Sequence, residues 1–416
     1  MEPTQNTRTM TIPTARPKST AGRPLLWFPT TDSFVPIPKG LFTIGKSPEC
    51  TICLHHHTVS RFHGTGEYSR GQLHLNDTQS RNGMFFRGQR KQKFSLGVEE
   101  IALLGTMPMV MVANHTKPTR RGRILTRDAA FTALLDDMTI MAKQEIAILI
   151  TGETGSGKEL AARLIHDSSH RQSGAYFAVN CGAIPKDLVE SELFGHERGA
   201  FSGASQRREG ILAQANGGTL FLDEIGELRP QHQSSLLRFL ETGSYRSVGS
   251  DSHRRADVRI IAATHKNLRL LARQGMFRKD LLYRLSQLTF TVPPLRNRVI
   301  DIPLLLEQFG APSPPENILT ELLSLPFEGN VRELMSLARI AQTFGWEKTK
   351  EQYANQLETL ESSSFNMPTV GLFHSIQRQA LTDALAKTSG NISAAARILG
   401  MPRTTLMHKM KREGLR

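Results

Sequence analysis

Two short segments carry residue types suited to phosphoryl chemistry. Residues 152–159 read GETGSGKE and follow the apolar run Ile146-Ala147-Ile148-Leu149-Ile150. A strand feeding a glycine-rich turn, with the helix-forming ELAARLI behind it, is the setting in which G-x-x-x-x-G-K holds phosphates. Gly152, Gly155 and Gly157 let the backbone curl so that N–H groups along Glu153, Thr154 and Ser156 can aim at one anion. Lys158 then brings a point charge to the β- and γ-phosphates at a helix N-terminus. Glu159 stands where a Ser or Thr usually supplies a hydroxyl to Mg²⁺. Residues 217–224 read GGTLFLDE, an apolar strand ending in two carboxylates. Asp223 can reach Mg²⁺ and Glu224 can polarise a water, so ATP and Mg²⁺ are the expected cofactors and ATP hydrolysis the expected reaction.

Positioning these groups takes more than one core. A chain of 416 residues predicts several domains, and 39% hydrophobic with 22% charged residues is ordinary for a globular protein. No run approaches the roughly 18 apolar residues that a membrane helix needs. The first residues, rich in Thr, Pro and basic side chains, lack an apolar leader, so a disordered tail over residues 1–20 and a cytoplasmic, membrane-free setting are expected. Lys and Arg number 52 against 38 Asp and Glu, a net +14. That excess favours a polyanionic partner. Cys50, Cys53 and Cys181 cannot form a disulfide framework, and Cys50-x-x-Cys53 with His55, His56 and His57 lacks a second ligand pair for a metal.

Beyond the phosphate loop the segment ESELFGHERGAFSGA resembles the loop motif of sigma-54-dependent transcriptional activators, bacterial enhancer-binding proteins within the AAA+ ATPases. The resemblance implies that Gly199, Ala200, Phe201, Ser202, Gly203 and Ala204 contact sigma-54, with Ser202 where the family normally has Thr. An aromatic flanked by small residues suits a flexible contact tip. By the same resemblance Asn180 restrains the catalytic Glu224, and His265 in IIAATHKNL occupies the sensor position against water or γ-phosphate. Arg278 and Arg284 in FRKDLLYRL would be arginine fingers reaching into a neighbouring subunit, and Arg332 in GNVREL would be the second sensor on an α-helical lid. The family commonly ends its phosphate loop in GKE, which accommodates Glu159. Glu328 stands where the family usually has Pro, and the stretch before GNVREL is short and carries Pro312, Pro314 and Pro315.

Upstream, short alternating runs (LFTIG, TICL, QLHLND, IALLG, VMVA) separated by turn residues predict an all-β sandwich. The order FTIGKS, TVSRFH, SRNGM resembles the forkhead-associated domain, whose loops grip phosphothreonine peptides. Carried over by motif, Ser60 bonds the phosphate, Asn82 holds the peptide backbone, Lys46, Arg61 and Arg81 supply charge, and His63 braces the loop. Lys46 replaces the usual Arg and Met84 the usual Thr.

The C-terminal stretch ISAAARIL, GMP, RTTLMHKMKR predicts two helices around a turn and resembles a Fis-type helix-turn-helix. Arg403, Thr404, Thr405 and His408 would face base edges, with Lys409 and Lys411 nearer phosphates. The expected division is a tail over 1–20, a β-sandwich over 21–113, a linker over 114–125, an α/β P-loop ATPase with helical lid over 126–345, a linker over 346–371 and an all-α DNA-binding domain over 372–416. The reading is an ATP-driven activator that binds upstream double-stranded DNA, assembles a homo-oligomeric ring, expected to be a hexamer, and remodels sigma-54 RNA polymerase. Its sandwich would answer to a phosphothreonine protein. The alternative is a DNA-binding repressor that keeps a diverged ATPase fold for assembly alone.

Overall fold

The computed structural model describes residues 10–11, 24–113, 115–185, 188–201 and 204–351, with isolated positions 353, 388 and 392. Contacts divide the chain into two units, one built mainly on Asn114–Ser313 and Leu325–Thr343, the other on Arg23–Ala113 with Pro314–Ser324 and the chain from Phe344.

In the first unit five parallel strands carry the site: β1 (Ile148–Thr151), β2 (Tyr176–Asn180), β3 (Thr219–Asp223), β4 (Arg259–Thr264) and β5 (Leu288–Thr291), in the order β5-β1-β4-β3-β2. Strand alternation sends Ile148, Ile150, Phe221, Ile261 and Ala263 into one apolar layer with Phe131, Leu135, Ala161 and Ile165. It sends Leu149, Leu220, Leu222, Ile260 and Ala262 into the opposite layer with Leu193, Leu236, Phe277 and Leu281. A sheet covered on both faces needs apolar residues at consecutive positions, which is why these strands read as continuous apolar runs. Ligands in such sheets sit off the carboxyl ends of the strands, and the phosphate loop, Asp223 and Thr264 all lie there.

Several boundaries differ from expectation. The 114–125 linker is instead an antiparallel hairpin of His115–Arg121 and Ile124–Asp128, and position 126 falls inside its second strand. The basic composition masked an alternation in which Ile124 and Thr126 point inward. In the supposed tail, Met10–Thr11 adds to the sheet in parallel beside β5. Residues 346–351, expected as linker, are helical, because Trp346 and Thr349 are buried three positions apart on one helix face.

The second unit is a sandwich of a five-stranded and a six-stranded sheet. Its core joins Leu26, Phe28, Phe42, Ile44, Leu73, Leu75, Met84 and Met109, the inward residues of the alternating runs. The Pro314–Ser324 segment, expected within the ATPase lid, belongs with this sandwich. The linker beyond 353 and the helix-turn-helix residues Arg403, Thr404, Thr405, His408, Lys409 and Lys411 lie outside the described residues.

Candidate functional site

The phosphate loop joins β1 to the helix Lys158–Asp167. Gly155 has φ +73°, and a Cβ there would collide with the carbonyl oxygen of Gly329, so the loop closes against the segment that carries Arg332. Lys158 is buried, and its Nζ donates to the carbonyls of Gly152 at 3.0 Å and Glu153 at 3.1 Å. It lies 3.9 Å from Glu224 Oε1. Burial lowers its pKa, while the Glu224 and Asp223 charges work the other way. The ammonium is curled onto its own loop, within a glycine cradle shaped for phosphate oxygens, and buried Ser156 Oγ has no protein partner. These residues fit a nucleoside triphosphate.

Asp223 and Glu224 sit at the end of β3. Asp223 Oδ1 accepts from Glu224 N at 3.0 Å, and burial, then the Glu224 charge, raises the Asp223 pKa. Glu224 adopts φ +50°, a left-handed conformation that costs a non-glycine residue about 1–3 kcal/mol and clusters at functional sites. Its Oε2 accepts from His265 Nδ1 at 2.7 Å. His265 follows β4, so the sensor position is joined to the carboxylate rather than held apart for water. Asn180 Oδ1 accepts from Gly182 N at 2.9 Å and Ala183 N at 3.1 Å, closing a turn after β2. Asparagine next to its own chain's free N–H groups makes this local turn readily.

Arg278 pairs with Asp280 at 2.8 Å and reaches Ser234 Oγ at 3.4 Å. Arg284 Nε and Nη2 donate to the Leu240 carbonyl at 3.1 and 2.9 Å, satisfying the last turn of the helix Pro230–Thr242. Neither contact reaches the phosphate loop. Arg332 is exposed beside Gly155, where its charge counts among those acting on Lys158.

Sequence reasoning missed the residues that lock this loop. Asn330, fully buried at φ +53°, donates to the Thr154 carbonyl at 3.0 Å and Glu153 Oε2 at 3.2 Å, and its Oδ1 accepts from Leu295 N at 2.8 Å. Arg296 grips Glu153 with both terminal nitrogens. Buried Arg298 donates to the Ser156 carbonyl at 2.9 Å, stacks 4.4 Å from the Phe131 ring and pairs with Asp301. Asp301 in turn accepts from Thr126 Oγ1 and Arg127 N, each at 2.7 Å. Asp128, the N-cap of the helix Ala129–Met141, is pushed by burial, and then by Asp301, to a pKa of about 6. The available signal was PPLRNRVID, two arginines and an aspartate inside an apolar stretch.

The GAFSGA loop springs from the short pair Gly195–His196 and Arg208–Glu209. Gly199 N donates to the Ala204 carbonyl at 2.8 Å, closing the loop. Phe201 is half-buried, edge-on to the His196 ring at 5.0 Å, and Ala200 abuts Gly249. Ser202 and Gly203 lie outside the described residues.

In the sandwich the three expected loops converge. Arg81 N donates to Ser60 Oγ at 3.0 Å, Asn82 Nδ2 to the Thr58 carbonyl at 2.7 Å, and Lys46 N to the Ser60 carbonyl at 2.9 Å. Buried His63 accepts from Ser60 N at 3.0 Å and donates to the Gly83 carbonyl at 3.1 Å, which requires the neutral ring that burial also favours. Lys46, Arg61, Arg81 and Asn82 are exposed around Ser60. Cys50 and Cys53 turn their sulfurs to the Arg61 and Lys46 carbonyls, and no group of three metal-ligating side chains exists among the described residues.

A parallel sheet ordered 5-1-4-3-2 with a phosphate loop, paired carboxylates and a histidine bonded to one of them defines an AAA+ P-loop nucleotide-binding domain, here joined to a β-sandwich. Family models agree: Sigma-54 interaction domain over residues 124–291, FHA domain over 42–101, and Bacterial regulatory protein, Fis family, over 374–412. The chain is 40% identical over 330 residues to the DNA-binding transcriptional regulator NtrC of Bradyrhizobium sp. (strain RP501 Parasponia), covering 69% of each chain. It is 40% identical over 302 residues to the transcriptional regulatory protein ZraR of Escherichia coli (strain K12), covering 69% of this chain and 68% of that one. The solved structure of NtrX from Brucella abortus in complex with ATP is 29% identical, with a TM-score of 0.50 over 71% of this chain and 70% of that one. The chain belongs to the NtrC-type sigma-54-dependent transcriptional regulators, with a forkhead-associated sandwich, an AAA+ P-loop domain and a Fis-type helix-turn-helix.

Proposed function

We propose that the protein is an ATP-hydrolysing activator that remodels sigma-54 RNA polymerase through the Phe201 loop. The observation that carries the reading is the convergence of Lys158, Asp223, Glu224 and His265 on one glycine cradle, with the distances given above. Lys158 would leave the Gly152 and Glu153 carbonyls for the phosphates. Asp223 would hold Mg²⁺ against those phosphates, for no protein cage of three such ligands stands among the described residues. Glu224, oriented by His265, would take a proton from the attacking water. Arg332 would sense the bound nucleotide from beside Gly155.

Arg278 and Arg284 bond Asp280 and the Leu240 carbonyl rather than their own phosphate loop, and in this reading they act on a neighbouring subunit in a homo-oligomeric ring, a hexamer. Phe201, resting on His196, would swing out as the contact residue, with Ser202, Gly203 and Ala204 completing the loop. Ser60, Asn82, Lys46, Arg61 and Arg81 would read a phosphothreonine peptide and gate the motor. Arg403, Thr404, Thr405, His408, Lys409 and Lys411 would dock the chain on upstream DNA. Asn180 would couple to Glu224 only after its local turn opens.

Mixing two inactive variants tests the shared site. Arg278→Ala keeps Lys158 and Glu224, and Glu224→Gln keeps Arg278, so a mixture should recover a share of the ATP hydrolysis that each lacks alone. A mixture as inactive as its parts would exclude a site completed by a second subunit.

A further inference from the structure

The segment Pro314–Ser324 is flanked in sequence by chain of the ATPase unit, yet it packs with the β-sandwich. Pro312, Pro314 and Pro315 precede the helix Glu316–Ser324, whose Ile318, Leu319, Leu322 and Leu323 are buried and which meets the strand Met107–Val112. Glu321 pairs with Lys350 along the same helix. The polar tie lies at the helix start: His56 Nε2 donates to Glu316 Oε2 at 3.0 Å, with the side chains 10% and 23% exposed. On the far side of that ring, Nδ1 is 2.9 Å from Thr58 Oγ1. The Thr58 carbonyl accepts from Asn82 Nδ2 at 2.7 Å, and its hydroxyl also accepts from Thr106 N at 3.1 Å.

A continuous series of hydrogen bonds therefore runs from Asn82 through Thr58 and His56 to Glu316. Thr58 stands two residues before Ser60, and Asn82, the side chain that would hold the peptide backbone, is joined through it to this helix. Five residues, 325–329, separate the helix from Asn330, which is bonded to the phosphate loop. At no more than about 3.6 Å per residue this tether is short. A helix retained by the sandwich limits what the Asn330–Arg332 segment can do as nucleotide enters and leaves.

We infer that the sandwich restrains the ATPase by holding the helix Glu316–Ser324 on His56, and that peptide capture by Asn82 releases it. The docking stands on the geometry above, and only the trigger rests on the phosphopeptide reading. Hydrogen exchange over residues 316–324 and ATP turnover, measured on the full chain, test the docking. His56→Gln and Glu316→Gln should each raise exchange there about tenfold or more and raise turnover, with the double variant adding nothing. Unchanged exchange, or faster exchange with unchanged turnover, overturns the inference. Where a variant loosens the whole sandwich, Lys350→Gln, which loosens the helix away from the loops, must reproduce the rise in turnover or the inference fails. A degenerate phosphothreonine peptide pool tests the trigger separately. Peptide binding that leaves 316–324 protected refutes the coupling. Absence of binding removes the phosphopeptide reading and the trigger with it, while the variants still decide the docking.

Discussion

His265 Nδ1 donates to Glu224 Oε2 at 2.7 Å, so the residue after β4 holds the carboxylate at the end of β3 across one sheet neighbour. A base held this way is oriented but engaged. His265→Ala is expected to lower ATP turnover by roughly 10²-fold, the scale of a misplaced general base, while nucleotide affinity changes little. Steady-state hydrolysis beside nucleotide binding separates the two. A variant that loses affinity and keeps turnover would move His265 from the reacting carboxylate to the nucleotide.

Asn330 satisfies Leu295 N and the Thr154 carbonyl from a fully buried position. Asn330→Ala leaves both without their partner, at about 1–3 kcal/mol for the buried Leu295 N–H. The melting temperature should fall and nucleotide should bind more weakly. A thermal scan with and without ATP reads both, and an unchanged melt would mean the Asn330 bonds contribute nothing net.

Asp128 has a pKa of about 6 in the fold against the ordinary carboxyl value of 3.8 in the unfolded chain, because burial disfavours its charge. The folded state then binds more protons across that window, so this group's stabilising contribution is present below 3.8 and is lost as pH rises through about 6. Asp128→Asn keeps an N-cap side chain and should remove that slope from chemical unfolding curves taken between those pH values. A slope that persists would assign it to Asp301, the other buried carboxyl of the cluster.

Ser60→Ala should cut the affinity of a phosphothreonine peptide about tenfold or more, since a charge-assisted hydrogen bond of roughly 1.5–3 kcal/mol is lost. Lys46→Arg should tighten binding, because a guanidinium grips phosphate with two donors where an ammonium is a single point. Fluorescence anisotropy with a labelled peptide measures both, and equal affinities across the three proteins would take the phosphate away from these loops.

What the sequence disclosed was local. Gly152 to Lys158, Asp223-Glu224 and the Ser60 and Asn82 loops announce themselves because their residues lie within a few positions, and each set stands together in the fold. What it concealed was remote or conformational. Asn330 reaches Glu153 over 177 residues and Arg298 reaches Ser156 over 142, distances at which no spacing rule operates. The hairpin at His115–Arg121 and Ile124–Asp128 looked like a linker because, among its described side chains, only Ile124 and Thr126 are buried.

Open-complex formation by sigma-54 RNA polymerase on supercoiled promoter DNA with ATP tests the central claim most directly, comparing the protein with Phe201→Ala and Glu224→Gln. The account predicts that only the unaltered protein opens the promoter, with Phe201→Ala still hydrolysing ATP. Opening by Phe201→Ala at the normal rate would contradict the role of the loop. Hydrolysis without opening by the unaltered protein, and by a chain lacking only the sandwich residues 24–113, would put a repressor that keeps its ATPase fold for assembly in the activator's place.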